Sequence, residues 1–358
     1  MKVGIAGAGS IAFATAALLE KNGHSVTLWS PSGAGTEALA NAPLTAKGAV
    51  EGTFSPAIAA SPAALCAAEV VLVAVPGYGH KAVFDALAPC LQAGTEVIIS
   101  SHASFGALYL ARALAARGLQ LPITCWGTTA VTGRRTGETE VTVNTVRKKV
   151  DACTVPAARE AAALATCRAL FGDVFVPRAG MLAITLSNLN PQNHMGIALL
   201  NMTRMEHGET WGQGANVTPH VGRLLERLDE ERLAIAGALG LQVKTIFEHF
   251  HQSFHVPIAS ISEMNFEMHR QGRGGTGPAT ADSRYVTEDV PYGLLPVALL
   301  GEMAGRPARL HEAGIDIFSA MYGRDFRAEN TLLPALDLGG LPLDALGEAG
   351  RTGVLPKT

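Results

Sequence analysis

Charge is scarce in this 358-residue chain: Asp, Glu, Lys and Arg make up 16% of it, against roughly 25% in an average soluble protein. The 28 basic and 31 acidic side chains leave a formal net charge of −3. Capture of a phosphate backbone requires a basic surplus or stripe. Adjacent basic residues occur only as Arg134 with Arg135 and as Arg147, Lys148 and Lys149. Nucleic acid is thereby excluded as a partner, and small molecules are expected instead. Cysteine is also sparse. Cys66, Cys90, Cys125, Cys153 and Cys167 are odd in number, form no CxxC pair and fall mostly in apolar runs. They read as reduced core residues, which points to a cytoplasmic protein.

Long hydrophobic runs are missing too, since no segment reaches the ~20 apolar residues of a membrane span. The apolar start from Val3 to Leu19 has the look of a signal peptide. It is interrupted by Gly7, Gly9, Ser10 and Thr15 and leads straight into a second strand-like run, so that reading is rejected. There is no His-Glu-x-x-His and no Gly-x-Ser-x-Gly, which removes the zinc-protease and serine-hydrolase readings. His249, His251 and His255 with Glu248 have i, i+4 spacing, but Phe247, Phe250 and Phe254 mark a packed amphipathic helix. No metal is expected. Between Asp151 and Pro356 the single lysine is Lys244, with no polar cluster around it, so catalysis by lysine is not expected either.

What is present is apolar material, 48% of the chain, enough for about two domains at ~150 residues each. Short apolar runs at 2–6, 25–29, 70–75, 96–100 and 123–125 alternate with helical patterns, the rhythm of a parallel sheet. Runs at 140–146 and 174–176 read as strands closing that domain. From about Met181 the period changes to 3.6. Helices are expected over 181–207, from Pro219 with Thr218 as N-cap to just before Gly240, and over 243–254, 258–270, 292–304 and 308–322. The fold class is therefore α/β plus all-α: a dinucleotide-binding domain over 1–178 and a helical domain over 179–358.

Gly7, Gly9 and Ala12, with Ser10 and Ile11 between them, form G-x-G-x-x-A after the first strand and at the opening of a helix. Glycines allow the tight turn and let a pyrophosphate reach the helix N-terminus, where N–H groups and the helix dipole favour negative charge. The second strand ends at Ser30, where an Asp or Glu would bind a ribose 2′-hydroxyl. Ser30 and Ser32 could accept a 2′-phosphate, yet no Arg neighbours them in sequence. NAD and NADP both stay open. Val75, Pro76 and Gly77 end the third run and line the cofactor site, because carboxyl ends of parallel strands face the ligand crevice. His80 reads as a surface residue opening the next helix. In the second half, Asn188, Asn190, Asn193 and His194 crowd one otherwise apolar helix, with Asn201 two turns beyond; a polar cleft explains the cluster. Arg284 and Asp289 follow a Gly-rich loop. Read alone, they also fit a salt-bridged turn.

These stretches together resemble the opine dehydrogenase family, of the octopine/nopaline dehydrogenase type and, within it, the bacterial N-carboxyethyl-norvaline dehydrogenase type. The likeness rests on the Gly7 fingerprint, Val75-Pro76, Val141-Thr-Val-Asn144 and Asn188-x-Asn190-x-x-x-His194. It continues through Thr218-Pro219-x-Val221-Gly222, Arg284-Tyr285-x-x-Glu288-Asp289-Val290, Gly293-Leu294-x-Pro296 and Asp325-Phe326-Arg327. The resemblance implies a Rossmann domain joined to a helical domain, with the reaction in the cleft between them. An amino acid amine is joined to a 2-oxo acid, and the imine is reduced with NADP or NAD. It implies His194 as acid/base, Asp289 as its partner and Arg284 as a carboxylate anchor; the polar cluster adds Asn190 and Asn201 as expected substrate-binding residues. Two departures stand out: Ser30 where relatives often carry Asp, and Pro191 three residues before His194, expected to kink that helix. A homodimer is expected from the long apolar stretches of 289–322. The rival readings are an oxo-acid reductase that needs no amine and a nicotinamide-binding regulator.

Overall fold

The computed structural model describes residues 1–356. It divides into two compact units: Met1–Ile184 with the stretch from Leu332 onward, and Thr185–Thr331.

The first unit is built on an eight-stranded sheet in the order Phe175–Pro177, Val150–Val155, Ile123–Trp126, Glu96–Ile99, Val70–Val73, Lys2–Ala6, Ser25–Trp29, Ala57–Ile58. All neighbours are parallel except Val150–Val155, which runs antiparallel to Ile123–Trp126. Lys2–Ala6 pairs on one side with Ser25–Trp29 and on the other with Val70–Val73. The chain order reverses there, and such a switch point opens a crevice at the carboxyl ends of the strands.

A second sheet, in the order Gly52–Phe54, Leu44–Gly48, Glu140–Val146, Val131–Arg135, covers the first helix, Ser10–Lys21. Sandwiching explains that helix's composition. Ala12, Phe13, Ala14, Ala16, Ala17, Leu18 and Leu19 are all buried, because a helix enclosed between two sheets has no wet face. The small residues let the layers close up: a Cβ on Gly133 would lie 3.2 Å from that of Ala14. Glu140–Val146 therefore does not close the main sheet, as its alternation suggested. Val150–Val155 fills that place, and Leu44–Gly48, Gly52–Phe54 and Val131–Arg135 were not read as strands because their apolar runs are short and broken by Gly and charge.

The second unit is helical around Pro219–Ala238, with Leu225, Leu228, Ile246, Ile261, Met264, Ile315, Phe318 and Phe326 in its core. The single helix expected over 181–207 is three: Met181–Ser187, Asn190–Leu200 and Met202–Glu206. Pro191 is the reason for the first break and costs little there, since it stands in the first turn of Asn190–Leu200, where a missing N–H forfeits no helical bond. The residues after 331 differ from the expected helical domain. Their helices Leu332–Leu336 and Leu343–Thr352 belong to the first unit, where Arg112 Nη1 donates to the Leu336 carbonyl at 3.1 Å. The helical period alone could not say which core they join.

Candidate active site

In the first unit the glycine loop lies across the switch point. Gly7 has φ +144°, and a Cβ there would stand 2.5 Å from the Ala74 carbonyl oxygen, so glycine is required. Gly9 is the N-cap of Ser10–Lys21, has no side chain to cap with, and a Cβ there would meet nothing within 4 Å. The helix thus presents its opening N–H groups to open space, with no acid in its first turn. This chain's residues fit a dinucleotide phosphate. On the other side of the switch, Pro76 is the N-cap of Gly77–Leu87, with Val75 before it and Gly77 buried behind. Ile11 is half-buried and Ala12 fully buried in the first turn.

Ser10 Oγ accepts the Arg135 backbone N–H at 2.9 Å. Ser30 is buried, and its hydroxyl donates to the Ala34 carbonyl at 2.5 Å, closing the loop that follows the strand. An arginine does stand beside this loop. Arg135 Nη1 donates to the Ala8 carbonyl at 2.9 Å and the Gly35 carbonyl at 3.1 Å. The sequence hid it a hundred positions away, on a strand not recognised as one; the adjacent pair Arg134-Arg135 was the only signal. His80 is not a surface residue either. It is fully buried beside Phe84, and burial pushes its pKa down to about 4.

In the second unit, His194 on Asn190–Leu200 meets Asp289, Nδ1 to Oδ2 at 2.6 Å, with both side chains about one-fifth exposed. The sequence separates them by 95 positions. Three glycines let neighbours close onto the His194 helix. A Cβ on Gly196 would lie 2.5 Å from Leu225, one on Gly314 2.5 Å from Met195, and one on Gly293 2.3 Å from Pro191. Gly293 belongs to the π-helical turn Val290–Leu294, which begins directly after Asp289. Gln192 Nε2 donates to Asp229 Oδ1 at 3.0 Å, tying the same helix to the buried Asp229–Arg232 ion pair on Pro219–Ala238.

Tyr285, missed by the sequence reading as a site residue, stacks flat on the His194 ring with centroids 3.6 Å apart and planes 8° from parallel. Its hydroxyl donates to Gln213 Oε1 at 2.7 Å. Burial, then the Asp289 charge, raises its pKa. Tyr285 lies on the single turn Arg284–Thr287, so Arg284 is its neighbour; the Arg284 Nε donates to Glu288 at 2.5 Å, and the arginine side chain is 66% exposed. Asn190 is exposed, its backbone N–H bonded to Asn188 Oδ1 at 3.1 Å. Asn201 is not in a polar cleft. It is 6% exposed, and its amide donates to the Ile197 carbonyl at 3.0 Å, sealing the end of its own helix. Among the described residues there is no group of three or more His, Cys, Asp or Glu arranged to hold a metal ion.

Residues 177–322 match the family model described as NAD/NADP octopine/nopaline dehydrogenase, alpha-helical domain, and residues 3–150 match that of ketopantoate reductase PanE/ApbA. An opine dehydrogenase of Arthrobacter sp. (strain 1C) is 31% identical over 344 residues, 94% of this chain and 95% of that protein. The chain belongs to the opine dehydrogenase family. As an opine dehydrogenase it is an NAD(P)-dependent oxidoreductase acting on CH–NH bonds. Its fold is that of octopine dehydrogenase solved with NADH and L-arginine, with TM-score 0.81, 18% identity and 98% of each chain covered. Yersinopine dehydrogenase solved with NADP+ has TM-score 0.68 at 15% identity, over 93% of this chain and 97% of that one. Among the described residues no helix is long and apolar enough to cross a membrane.

Proposed function

We propose that this enzyme joins the amine of an amino acid to the carbonyl carbon of a small 2-oxo acid such as pyruvate, with His194, Asp289 and Arg284 as the protein's working groups. The observation that carries the reading is the 2.6 Å contact between His194 Nδ1 and Asp289 Oδ2. The Nδ1–H donates to the carboxylate, which fixes the tautomer and leaves Nε2 as the atom that moves the proton. Condensation needs that proton: the amine loses one as it attacks, and the carbinolamine hydroxyl gains one to leave as water. A nicotinamide cofactor, when bound by the Gly7 to Ala12 loop, Val75, Pro76 and Gly77, supplies the hydride that reduces the imine carbon. Arg284 grips a substrate carboxylate through its fork of donors, and Asn190 adds a polar contact. Asn201 supports the helix end instead.

Rates of NAD(P)H oxidation test this. Pyruvate alone should give little turnover, and an amino acid in a panel should raise it strongly. Arg284→Ala should raise KM for one carboxylate substrate, and Arg284→Lys, which keeps the charge without the fork, should recover only part. Fast reduction of the oxo acid regardless of any amine contradicts the reading.

The same proposal includes a cytoplasmic location, supported by the odd, unpatterned cysteines, and a homodimer formed through the helical unit. Ile317 and Met321, four apart on Arg309–Tyr322, are 42% and 47% exposed, an apolar pair suited to a self-complementary contact. Light scattering should report a dimer, and a monomer at micromolar concentration contradicts it.

A further inference from the structure

The arginine at the edge of the cofactor loop has a chemistry that the reaction itself does not use. Its Nε donates to the Gly137 carbonyl at 3.2 Å, Nη1 to Ala8 and Gly35 at 2.9 and 3.1 Å, and Nη2 to Glu138 at 2.8 Å. A guanidinium has five N–H donors, so one, on Nη2, is left over. All four partners are carbonyl oxygens. Among the described residues no carboxylate stands within ion-pair distance of Arg135, and Glu37 couples to its charge only at longer range, so the guanidinium is solvated chiefly by carbonyl dipoles. The side chain is also held rigid: its backbone N–H is bonded to Ser10 Oγ at 2.9 Å, and its guanidinium lies over the Phe13 ring, 4.4 Å from the centroid.

Its location decides what such a cation can meet. Ala8 is the residue between the two fingerprint glycines, and Gly35 ends the loop that begins at Ser30, the end of the second strand. In this fold the adenosine ribose is read at that strand end. An enzyme that reads a 2′-hydroxyl there places an acid to accept from it; this chain has Ser30, whose hydroxyl is turned inward to Ala34. Ser32, in contrast, is exposed, and its Oγ lies 3.2 Å from Ser30 Oγ. The nearby acid is Glu37, which is committed to the Gly35 N–H.

We propose that Arg135 and Ser32, held by the loop from Ser30 to Gly35, form the subsite for the 2′-phosphate of NADP. The inference rests on the dinucleotide reading of the glycine loop. A rigid guanidinium that forms no ion pair and keeps a spare N–H favours a dianionic phosphate over a neutral hydroxyl, and Ser32 adds a hydroxyl donor. Selectivity thus comes from the second sheet and not from the strand that usually carries it.

Calorimetric titration of the full-length protein, with neither amino acid nor oxo acid present, tests this. The probes are NADP+, NAD+, 2′,5′-ADP and 5′-AMP, the last two differing only in the 2′-phosphate. The wild type should bind 2′,5′-ADP more tightly than 5′-AMP. Arg135→Gln should weaken NADP+ by about tenfold to a hundredfold, the worth of one charged hydrogen bond, with NAD+ nearly unchanged. Arg135→Lys should recover part of the loss. Ser32→Glu, which leaves the four carbonyl bonds of Arg135 intact, should turn the preference toward NAD+. Equal loss of NADP+ and NAD+ in Arg135→Gln, together with no effect of Ser32→Glu, makes Arg135 a latch for the glycine loop and overturns the proposal. Glu37→Gln that loosens NAD+ but not NADP+ assigns the ribose to Glu37 and overturns it equally. If neither dinucleotide binds the wild type, the cofactor reading itself fails, a result distinct from binding without 2′ discrimination.

Discussion

His194 is held by three groups of different chemistry: a carboxylate at Nδ1, an aromatic face against its ring, and the glutamine that anchors that aromatic. Each constrains a different freedom, the tautomer, the ring plane and the position of the plane. Replacing His194 with Ala should lower kcat on the order of 10² to 10⁴ while leaving the dissociation constant for the dinucleotide nearly unchanged, because the glycine loop belongs to the other unit. Asp289→Asn should do the same more mildly. Tyr285→Phe keeps the stacked ring but loses the Gln213 anchor and should lower kcat mildly, whereas Tyr285→Ala should lower it more and displace its pH profile; identical profiles would show that stacking does not position the imidazole. The pairing of His194 with Asp289 was expected through the family resemblance, because read alone the polar cluster and the Arg284 to Asp289 run also fit a satisfied core helix and a salt-bridged turn. Tyr285 and Arg135 were not expected. An aromatic inside a motif and an arginine on an irregular strand carry no signal until the chain brings them to a ring or a loop far away in sequence.

Among the elements, the His194 helix is fixed by close approach on one side and by a buried charge on the other. A Cβ at Gly293 would meet Pro191 at 2.3 Å and Asp289 Oδ1 at 3.7 Å. Gly293→Ala should therefore push apart the turn bearing Asp289 and the first turn of the His194 helix, losing most activity while dinucleotide affinity persists. Normal activity in this variant would show that the two turns can separate without consequence. Asp229 is 2% exposed and accepts from Arg232, from Gln192 and from the Ile246 N–H. Removing it strands a guanidinium in the core, so Asp229→Ala should cost about 3–5 kcal/mol in chemical unfolding. Element types were readable where periodicity was strong, as in Lys2–Ala6 or Pro219–Ala238. The small sheet was not, because its strands gain their burial from the first helix and not from a continuous apolar run of their own.

For the whole molecule, stability should depend on acid through two buried histidines at the carboxyl ends of the parallel strands. Burial lowers His80 from 6.5 to about 4, outweighing the opposing Val75 backbone contact. Burial, and then the neighbouring His80, lowers His102 to about 3. Both are neutral when folded at pH values where the unfolded chain binds protons. The native state thus keeps its full margin above pH 6.5 and loses it as pH falls from 6.5 toward 4, by roughly 1.4 kcal/mol per pH unit for each histidine. Urea unfolding at a series of pH values should show this slope, and His80→Leu should flatten it; equal slopes would contradict the assignment. At this scale the two-part plan was legible from the change of period near Met181. The return of the last helices to the first unit was not, since amphipathic helices do not name the core they join.

The defining event of the reaction is the making and reduction of a carbon–nitrogen bond. The direct measurement is the mass spectrum of the product formed from pyruvate, an amino acid and NAD(P)H deuterated at the transferred position. The expected product is a secondary-amine dicarboxylate carrying one deuterium, formed by the wild type and nearly absent with His194→Ala. Deuterated lactate as the product, in the same amount with and without the amino acid, would contradict it.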